Sequence, residues 1–168
     1  ETFDPGLPDD LVYSGQARLT DPLTGTPLDI GRAVLSPTRT YAPVVQEVFS
    51  ALRAEVHGMV HCSGGAQTKV LHFVDNFRII KDDLLPVPPL FEAIQRMSGT
   101  TWHEMYKVFN IGHRLEFYAP AARAEAIIAI SNSFGIDAKI IGRVEPFTIS
   151  PSGTHTKEVV LTSPHGTF

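Results

Sequence analysis

The chain has 168 residues, which suits one compact domain with its own core and is too short for two of ordinary size. Apolar residues make up 43% and charged residues 19%, a balance typical of globular rather than disordered proteins. The net charge of -4, with both signs interspersed, lacks the clustered Lys and Arg that bind nucleic acid. The apolar runs stay far below the roughly 18 to 20 residues of a transmembrane helix, so the sequence predicts neither a nucleic-acid partner nor a membrane partner.

A single cysteine, Cys62, limits the redox chemistry of the chain. It excludes an intrachain disulfide and a thiolate zinc cluster, and it is consistent with a reducing cytoplasm. The chain starts at Glu1 rather than Met, and no charged and then apolar leader follows. We therefore predict no export signal and a cytoplasmic location, and we expect either a trimmed start or a segment of a longer protein.

The first 29 residues are rich in Pro, Gly and Asp and contain short candidate strands at 11–13 and 17–19. They predict a connector over residues 1–34. A helix is predicted over 41–52, where apolar residues such as Val44 and Val48 recur at intervals of three and four. Thr40 is placed to cap this helix, and Pro43 lies in its first turn, where a missing N–H costs little.

The rest of the chain alternates irregularly between strand and helix patterns. Strands are predicted at 57–62, 76–81, 112–118 and 137–144. Helices are predicted around residues 70–74 and over 90–97, 101–108 and 120–134, with Thr101 and Gly135 as caps. Residues 157–161 are compatible with an edge strand in a polar tail, 146–168. This order predicts an α+β fold, a mixed β-sheet covered by helices, with its core over 35–145.

The segment His61-Cys62-Ser63-Gly64-Gly65 is the most informative local feature, because a strand there turns through paired glycines into a helix. Such a turn exposes several backbone N–H groups together, and glycines let the main chain approach a phosphate while a serine adds a hydroxyl. Taken alone, paired glycines are more typical of a simple tight turn.

For several other residues the sequence allows both a functional and a purely structural role. His61, near the end of its strand, can serve as an acid, a base or a phosphate ligand, whereas His57 better fits a hydrogen-bonded residue at a sheet edge. Cys62 is expected to be a buried small apolar residue rather than a nucleophile. Arg39 fits a clamp on phosphate or carboxylate as well as an ion pair with a surface acid. The scattered histidines lack a carboxylate at ligand spacing, so no metal site is predicted.

Segments in a fixed order resemble one protein family. Leu-Ser-Pro-Thr-Arg-Thr-Tyr at 35–41 is similar to its Leu-x-Pro-Thr-Arg-x-Tyr block, and His-Gly-Met-Val-His-Cys-Ser-Gly-Gly at 57–65 to its His-(apolar)-His-x-(Ser/Thr)-Gly-Gly block. Pro-Val-Pro-Pro-Leu-Phe at 86–91, Glu-Met-Tyr-Lys-Val-Phe-Asn-Ile-Gly at 104–112 and Ile-Gly-Arg-Val at 141–144 resemble its later blocks. The family is phosphoribosylformylglycinamidine cyclo-ligase, also called AIR synthetase, and the chain resembles its second, C-terminal domain.

The resemblance implies an activity and its partners. The implied reaction is ATP-dependent ring closure of formylglycinamidine ribonucleotide to aminoimidazole ribonucleotide in purine biosynthesis, with release of ADP and phosphate. It implies a homodimer in which an N-terminal domain of the same protein holds most of the ATP and its Mg²⁺, while the second domain closes the cleft. The segment alone is therefore expected to be inactive.

The resemblance also implies site residues by position. It makes His61 the candidate catalytic residue, and it places Ser63, Gly64 and Gly65 in the substrate or phosphate cleft. The loop opposite is implied to be shaped by Asn110 and Gly112, with Thr38 and Arg39 as further binding candidates. Met105, Tyr106 and Phe109 also match the family, but their helical spacing is more typical of a core.

The sequence departs from the family pattern at three points. Ala66 stands where the family has a third glycine and is followed by Gln67, which restricts the loop. His113-Arg114 replaces small residues and is expected to place a cation there. A Ser-Asn-Gly-rich loop ahead of the first helix is missing. Two alternatives stay open: a sister family of this architecture, of the amidotransferase, selenophosphate synthetase, hydrogenase-maturation or thiamine-phosphate kinase type, and a non-catalytic dimerisation or ligand-sensing module.

Overall fold

The computed structural model describes residues 5–8, 15–147 and 157–168, and its fold is α+β. The helices are α1 (Ile30–Leu35), α2 (Ala42–Leu52), α3 (Pro89–Ser98), α4 (Trp102–Val108) and α5 (Ala121–Ser133), with 3-10 helices at Arg53–Glu55 and Ala66–His72. The strands are β1 (Gly58–His61), β2 (Phe77–Lys81), β3 (Leu115–Tyr118), β4 (Gly142–Pro146), β5 (Glu158–Ser163) and β6 (Gly166–Thr167). The chain divides into two units, Glu1–Pro37 with Pro88–Thr100 and Thr38–Val87 with Thr101–Phe168.

The first unit contains α1 and α3. Asp29 caps α1, because its carboxylate accepts a hydrogen bond from the N–H of Arg32 at 2.7 Å. Gly31 lies against the preceding turn, and its N–H donates to the carbonyl of Leu19 at 2.8 Å. Helix α3 ends at Gly99, whose φ of 67° is the left-handed conformation typical of a glycine after a helix.

The described residues of the second unit form two sheets. Strands β1 and β3 pair antiparallel as a ribbon, with Val60 opposite Glu116. Strand β2 lies inside a mixed sheet ordered β4-β2-β5-β6, antiparallel to β4 and parallel to β5. At Gly142 the backbones of β4 and β2 are so close that an added Cβ would lie 1.8 Å from the carbonyl oxygen of Ile80. This position therefore requires glycine.

Apolar clusters among the described residues help to hold the second unit together. Helices α2 and α5 form the first, through Val44, Val48 and Ile127. Strands β1 and β2 and the 3-10 helix Ala66–His72 form the second, through Val60, Cys62, Val70 and Ile79. Phe117 of β3 packs on the first cluster and its neighbour Tyr118 on the second. The ribbon thus lies between the two clusters, because consecutive strand residues point to opposite faces.

Most predicted helices are confirmed. The helix predicted over 41–52 begins at Ala42 with Pro43 in its first turn, but its N-cap is Tyr41, which makes no side-chain capping bond, so the predicted cap at Thr40 was wrong. The predicted cap at Thr101 is confirmed, because its hydroxyl accepts from the N–H of Glu104 at 3.4 Å. The residues after the paired glycines form a 3-10 helix.

The strand predictions were less accurate at their ends. No strand forms at 17–19, because a turn there joins the N–H of Asp21 to the carbonyl of Arg18 at 3.1 Å. The strand predicted from residue 137 begins only at Gly142. The strand expected at 157–161 is present as β5 and lies between β2 and β6 rather than at an edge. The strand proposed at 11–13 lies outside the described residues, and the division into 1–34, 35–145 and 146–168 stays a prediction.

Candidate functional site

The glycine loop, residues 62–67, follows β1 and has an unusual backbone. Gly64, Gly65 and Ala66 have φ values of 44°, 88° and 44°, three consecutive left-handed residues. Within the described part of the chain, no hydrogen bond is formed by the N–H of Gly64 or Gly65, and a Cβ on Gly64 would meet nothing within 4 Å. Successive free N–H groups beside open space form a concavity that can bind an anion.

Short hydrogen bonds fix both ends of the glycine loop. The N–H of Ser63 donates to the carbonyl of His61 at 2.8 Å, and both the N–H and the hydroxyl of Thr68 donate to the carbonyl of Gly65 at 2.8 Å. His61 and Ser63 are exposed. The loop can therefore offer an imidazole and a hydroxyl beside its two free N–H groups.

Cys62, between His61 and Ser63, is buried at 2% exposure, as predicted. Burial, with the nearby Glu116 carboxylate adding to it, raises the pKa of its thiol to about 12. Because the thiolate is the reactive form, Cys62 is not a nucleophile at neutral pH.

The Asn-Gly loop, residues 109–113, is the second candidate segment. Ile111 is fully buried with φ 49°, and Gly112 follows with φ 87°. The side-chain oxygen of Asn110 accepts from the N–H of Gly112 at 3.0 Å. The main-chain carbonyl of Asn110 accepts from Gln67 Nε2 at 2.7 Å. Gln67 thus joins the glycine loop directly to the Asn-Gly loop.

A buried charged pair lies behind these loops. Lys81 Nζ donates to the carbonyl oxygen of Gln67 at 2.8 Å, to its Oε1 at 3.1 Å and to Glu116 Oε1 at 2.5 Å. Glu116 Oε2 accepts from the hydroxyl of Tyr118 at 2.6 Å. Burial and the Glu116 carboxylate raise the pKa of Tyr118, which keeps that hydroxyl protonated as a donor. All three ammonium protons of Lys81 can therefore be satisfied inside the protein.

His113 does not provide the cation that the sequence predicted at 113–114. Its side chain is 4% exposed, and its Nε2 accepts from the N–H of Leu85 at 3.1 Å. Burial lowers its pKa from 6.5 to about 4, against the opposing effect of Glu116, so the ring is neutral near pH 7. The charge in this pair belongs to Arg114 alone.

Thr38 and Arg39 are both exposed. Arg39 Nη1 donates to the carbonyl of Gly135 at 3.2 Å, just after α5, beside a cavity of about 270 Å³. Among the contacts between described residues, none joins Thr38 or Arg39 to the glycine loop. Their part in ligand binding therefore stays a prediction.

A larger cavity in this unit, of about 850 Å³, borders Gly112, His113 and Arg114. Its lining does not include residues 61–67. The glycine loop therefore lies outside this cavity, and its residues 63–65 are exposed. Among the described residues, no group of three or more His, Cys, Asp or Glu side chains could hold a metal ion, and no helix has the length and apolar character needed to cross a bilayer.

The family model for the AIR synthase related protein, C-terminal domain, matches residues 21–148. The chain belongs to this family. The AIR synthase-related domain is 34% identical over 133 residues to a phosphoribosylformylglycinamidine cyclo-ligase of Methanococcus vannielii, covering 79% of this chain and 37% of the relative. It is 32% identical over 115 residues to the protein of that name from Methanocaldococcus jannaschii, covering 68% of this chain and 33% of that relative. The domain thus spans about a third of the length of these relatives.

A solved structure shares the fold of the AIR synthase-related domain. The hydrogenase maturation protein HypE of E. coli matches with a TM-score of 0.52 and 22% identity, over 75% of this chain and 36% of that one. At this identity the likeness shows the fold alone. It agrees with the α+β architecture predicted from the sequence.

Sequence reasoning missed the polar residues that connect the two loops of the AIR synthase-related domain. Lys81 and Glu116 lie at inward positions of β2 and β3, two residues after the buried Ile79 and two before the half-buried Tyr118. Alternate residues of a strand point to the same face, so a charged residue two positions from a buried one is expected to point inward. Because buried charges are almost always paired, this pattern would have indicated a buried ion pair. Gln67 was noted only as a departure from the family pattern.

Proposed function

We propose that the longer protein containing this domain is a phosphoribosylformylglycinamidine cyclo-ligase, and that this domain binds the phosphate of its ribonucleotide substrate. The observation that carries the proposal is the pair of left-handed glycines, Gly64 and Gly65, whose N–H groups are unbonded among the described residues, with open space at the Cβ position of Gly64. A phosphate oxygen is a suitable acceptor for such N–H groups. The names of the relatives support the reaction class.

In this proposal each site residue has a role that its geometry allows. Gly64 and Gly65 donate main-chain hydrogen bonds to the phosphate, and the hydroxyl of Ser63 adds a third. His61, exposed at the end of β1, acts as an acid, a base or a further phosphate ligand. The Asn-Gly loop, with Asn110 and Gly112, shapes the opposite side of the cleft, and Thr38 and Arg39 are further binding candidates.

ATP and magnesium belong to another part of the protein in this proposal. The described residues include no metal-binding group of acidic or histidine side chains, so we assign no metal-dependent step to them. The reaction would use ATP to activate the formamide oxygen, after which the amidine nitrogen closes the imidazole ring. The open glycine loop supports a site completed by a second surface, which we propose to be the N-terminal domain of the same chain.

Two further parts of the proposal rest on the resemblance. We propose a homodimer, as the family pattern implies, and a cytoplasmic location, which is consistent with a lone, buried Cys62.

The test is an assay of the full-length protein with ATP and formylglycinamidine ribonucleotide. Formation of aminoimidazole ribonucleotide with one ADP per ring closed would support the proposal. A product that instead requires glutamine or selenide would assign the protein to a sister family. A folded dimer that binds ribonucleotide without turnover would indicate a sensing module.

A further inference from the structure

Gln67 occupies the position between the two candidate loops, and both ends of its side-chain amide are used. Its exposure is 1%. Its Oε1 accepts from Lys81 Nζ at 3.1 Å, and its Nε2 donates to the carbonyl of Asn110 at 2.7 Å. A buried amide with a donor partner on one side and an acceptor partner on the other has a single satisfied orientation. The side chain therefore fixes the separation of two main-chain segments.

Lys81 holds Gln67 in place at the oxygen of the amide, whereas Asn110 accepts from the nitrogen of the amide. Its ammonium contacts both the main-chain oxygen and the side-chain oxygen of Gln67, and it pairs with Glu116. Lys81 ends β2 of the four-stranded sheet, whereas Glu116 lies in β3 of the ribbon. The position of Gln67 thus depends on a polar connection between the two sheets, with strong charge-assisted hydrogen bonds.

The chain segments that Gln67 joins are those proposed to bind the ribonucleotide. Gln67 follows directly after the left-handed Gly64, Gly65 and Ala66, and Asn110 begins the turn through Ile111 and Gly112. We infer that Gln67, held by Lys81, is a positioning residue that sets the separation of the glycine loop and the Asn-Gly loop for substrate. This inference rests on the proposed function of those loops. Gln67 acts through the backbone of Asn110 and needs no contact with the ligand.

The test uses Gln67→Met in the full-length protein, because Met keeps the length of the side chain and removes both amide contacts. Lys81 loses its bond to Gln67 Oε1 but keeps its bonds to the main-chain oxygen of residue 67 and to Glu116, so its buried charge keeps its counter-ion. Gln67→Glu is the second variant, since it keeps an oxygen toward Lys81 and loses the donor to Asn110. Ser131→Ala is the matched control, because Ser131 is also buried and its hydroxyl donates a hydrogen bond to the carbonyl of Ile136 at 2.9 Å, far from both loops in sequence.

Two measurements separate positioning from simple stability. Amide hydrogen exchange without ligand is expected to speed up at residues 110–113 in both Gln67 variants and to stay unchanged there in Ser131→Ala. In the ring-closure assay, the KM for formylglycinamidine ribonucleotide is expected to rise about 10-fold to 100-fold, with the KM for ATP unchanged, because losing the geometry of one hydrogen bond to a charged phosphate weakens binding by about this factor.

The outcomes distinguish this inference from the proposed function. An active wild-type enzyme whose Gln67 variants keep the wild-type KM and the wild-type exchange would overturn the inference alone. Faster exchange with an unchanged KM would overturn the positioning role as well. A wild-type protein without ring-closing activity would remove the proposed function, and unchanged exchange at 110–113 would then still refute the coupling of the loops.

Discussion

Adding a negative charge at Gly64 tests whether the glycine loop binds phosphate. Gly64 has φ 44° and open space where a Cβ would be, so a side chain there extends in front of the loop. Asp and Asn are the residues that best tolerate this conformation after glycine. Gly64→Asp and Gly64→Asn therefore share the same shape and backbone strain, and they differ in one charge.

The expected size of the effect follows from Coulomb's law. Two like charges about 4 Å apart repel by roughly 1 kcal/mol in bulk water and about 4 kcal/mol at the dielectric constant of a protein surface. Since about 1.4 kcal/mol corresponds to a factor of ten, Gly64→Asp is expected to raise the KM for the ribonucleotide roughly fivefold to several hundredfold over Gly64→Asn. Added salt is expected to reduce the difference by screening.

The assay is steady-state ring closure by the full-length protein at low and high ionic strength. Gly99→Asp is the control, because Gly99 also has a left-handed backbone, φ 67°, and open space at its Cβ position. Equal ribonucleotide KM values for Gly64→Asp and Gly64→Asn at low salt would show that no phosphate binds at this loop.

Further predictions concern stability. Lys81→Met is expected to lower the free energy of unfolding in urea by about 3–5 kcal/mol, because Glu116 stays buried without its counter-ion, and adding Glu116→Leu is expected to recover most of the loss. Gly142→Ala is expected to cost about 3 kcal/mol or more in thermal denaturation, because its Cβ would overlap the carbonyl of Ile80. The pKa of His113 is about 4 in the folded chain and 6.5 ordinarily, so between these values the unfolded chain binds the proton more readily. The free energy of unfolding is therefore unaffected by His113 above about pH 6.5 and decreases as pH falls to 4. The free energy of unfolding falls by up to about 3 kcal/mol through this effect. His113→Gln is expected to make the free energy of unfolding in urea depend less on pH over this range.

Each stability prediction has a result that contradicts it. If the double Lys81→Met and Glu116→Leu variant is no more stable than the single variant, the buried charge is not the cause of the loss. A Gly142→Ala chain that melts with the wild type would contradict the close approach of β4 and β2. A pH profile that keeps its slope between pH 6.5 and 4 in His113→Gln would assign the slope to other groups.

Local features of this fold were predictable from sequence because their causes are local. The sequence of helix α2 has apolar residues at helical spacing and a proline in its first turn, and the structure confirms the helix these features predict. The turn after β1 follows from two glycines that have no Cβ to oppose a positive φ. The same rule does not predict the left-handed conformation of the buried Ala66, which costs strain in a residue other than glycine.

Features that depend on distant pairings were not predictable in the same way. The position of β5 beside β2 depends on hydrogen bonds between strands far apart in the chain, which apolar alternation does not encode. The strand pattern can place Lys81 and Glu116 on inward sides of their strands, but it does not show that the two pair, because they lie in strands of different sheets. The candidate site is a prediction from its motif, whereas the hydrogen bonds that connect Gln67, Lys81 and Glu116 are visible only in the tertiary structure.

The parallel pairing of β2 with β5 also has a consequence for how the chain folds during its synthesis. Ile80 of β2 pairs with Val160 of β5, so one side of β2 stays open while the intervening chain is made. At about 5–20 residues per second, this delay is roughly 4 to 16 s. An open strand edge can recruit a strand from a neighbouring nascent chain. Slowed translation or a stop codon ahead of β5 would therefore increase aggregation, because β5 is the strand that pairs with this side of β2.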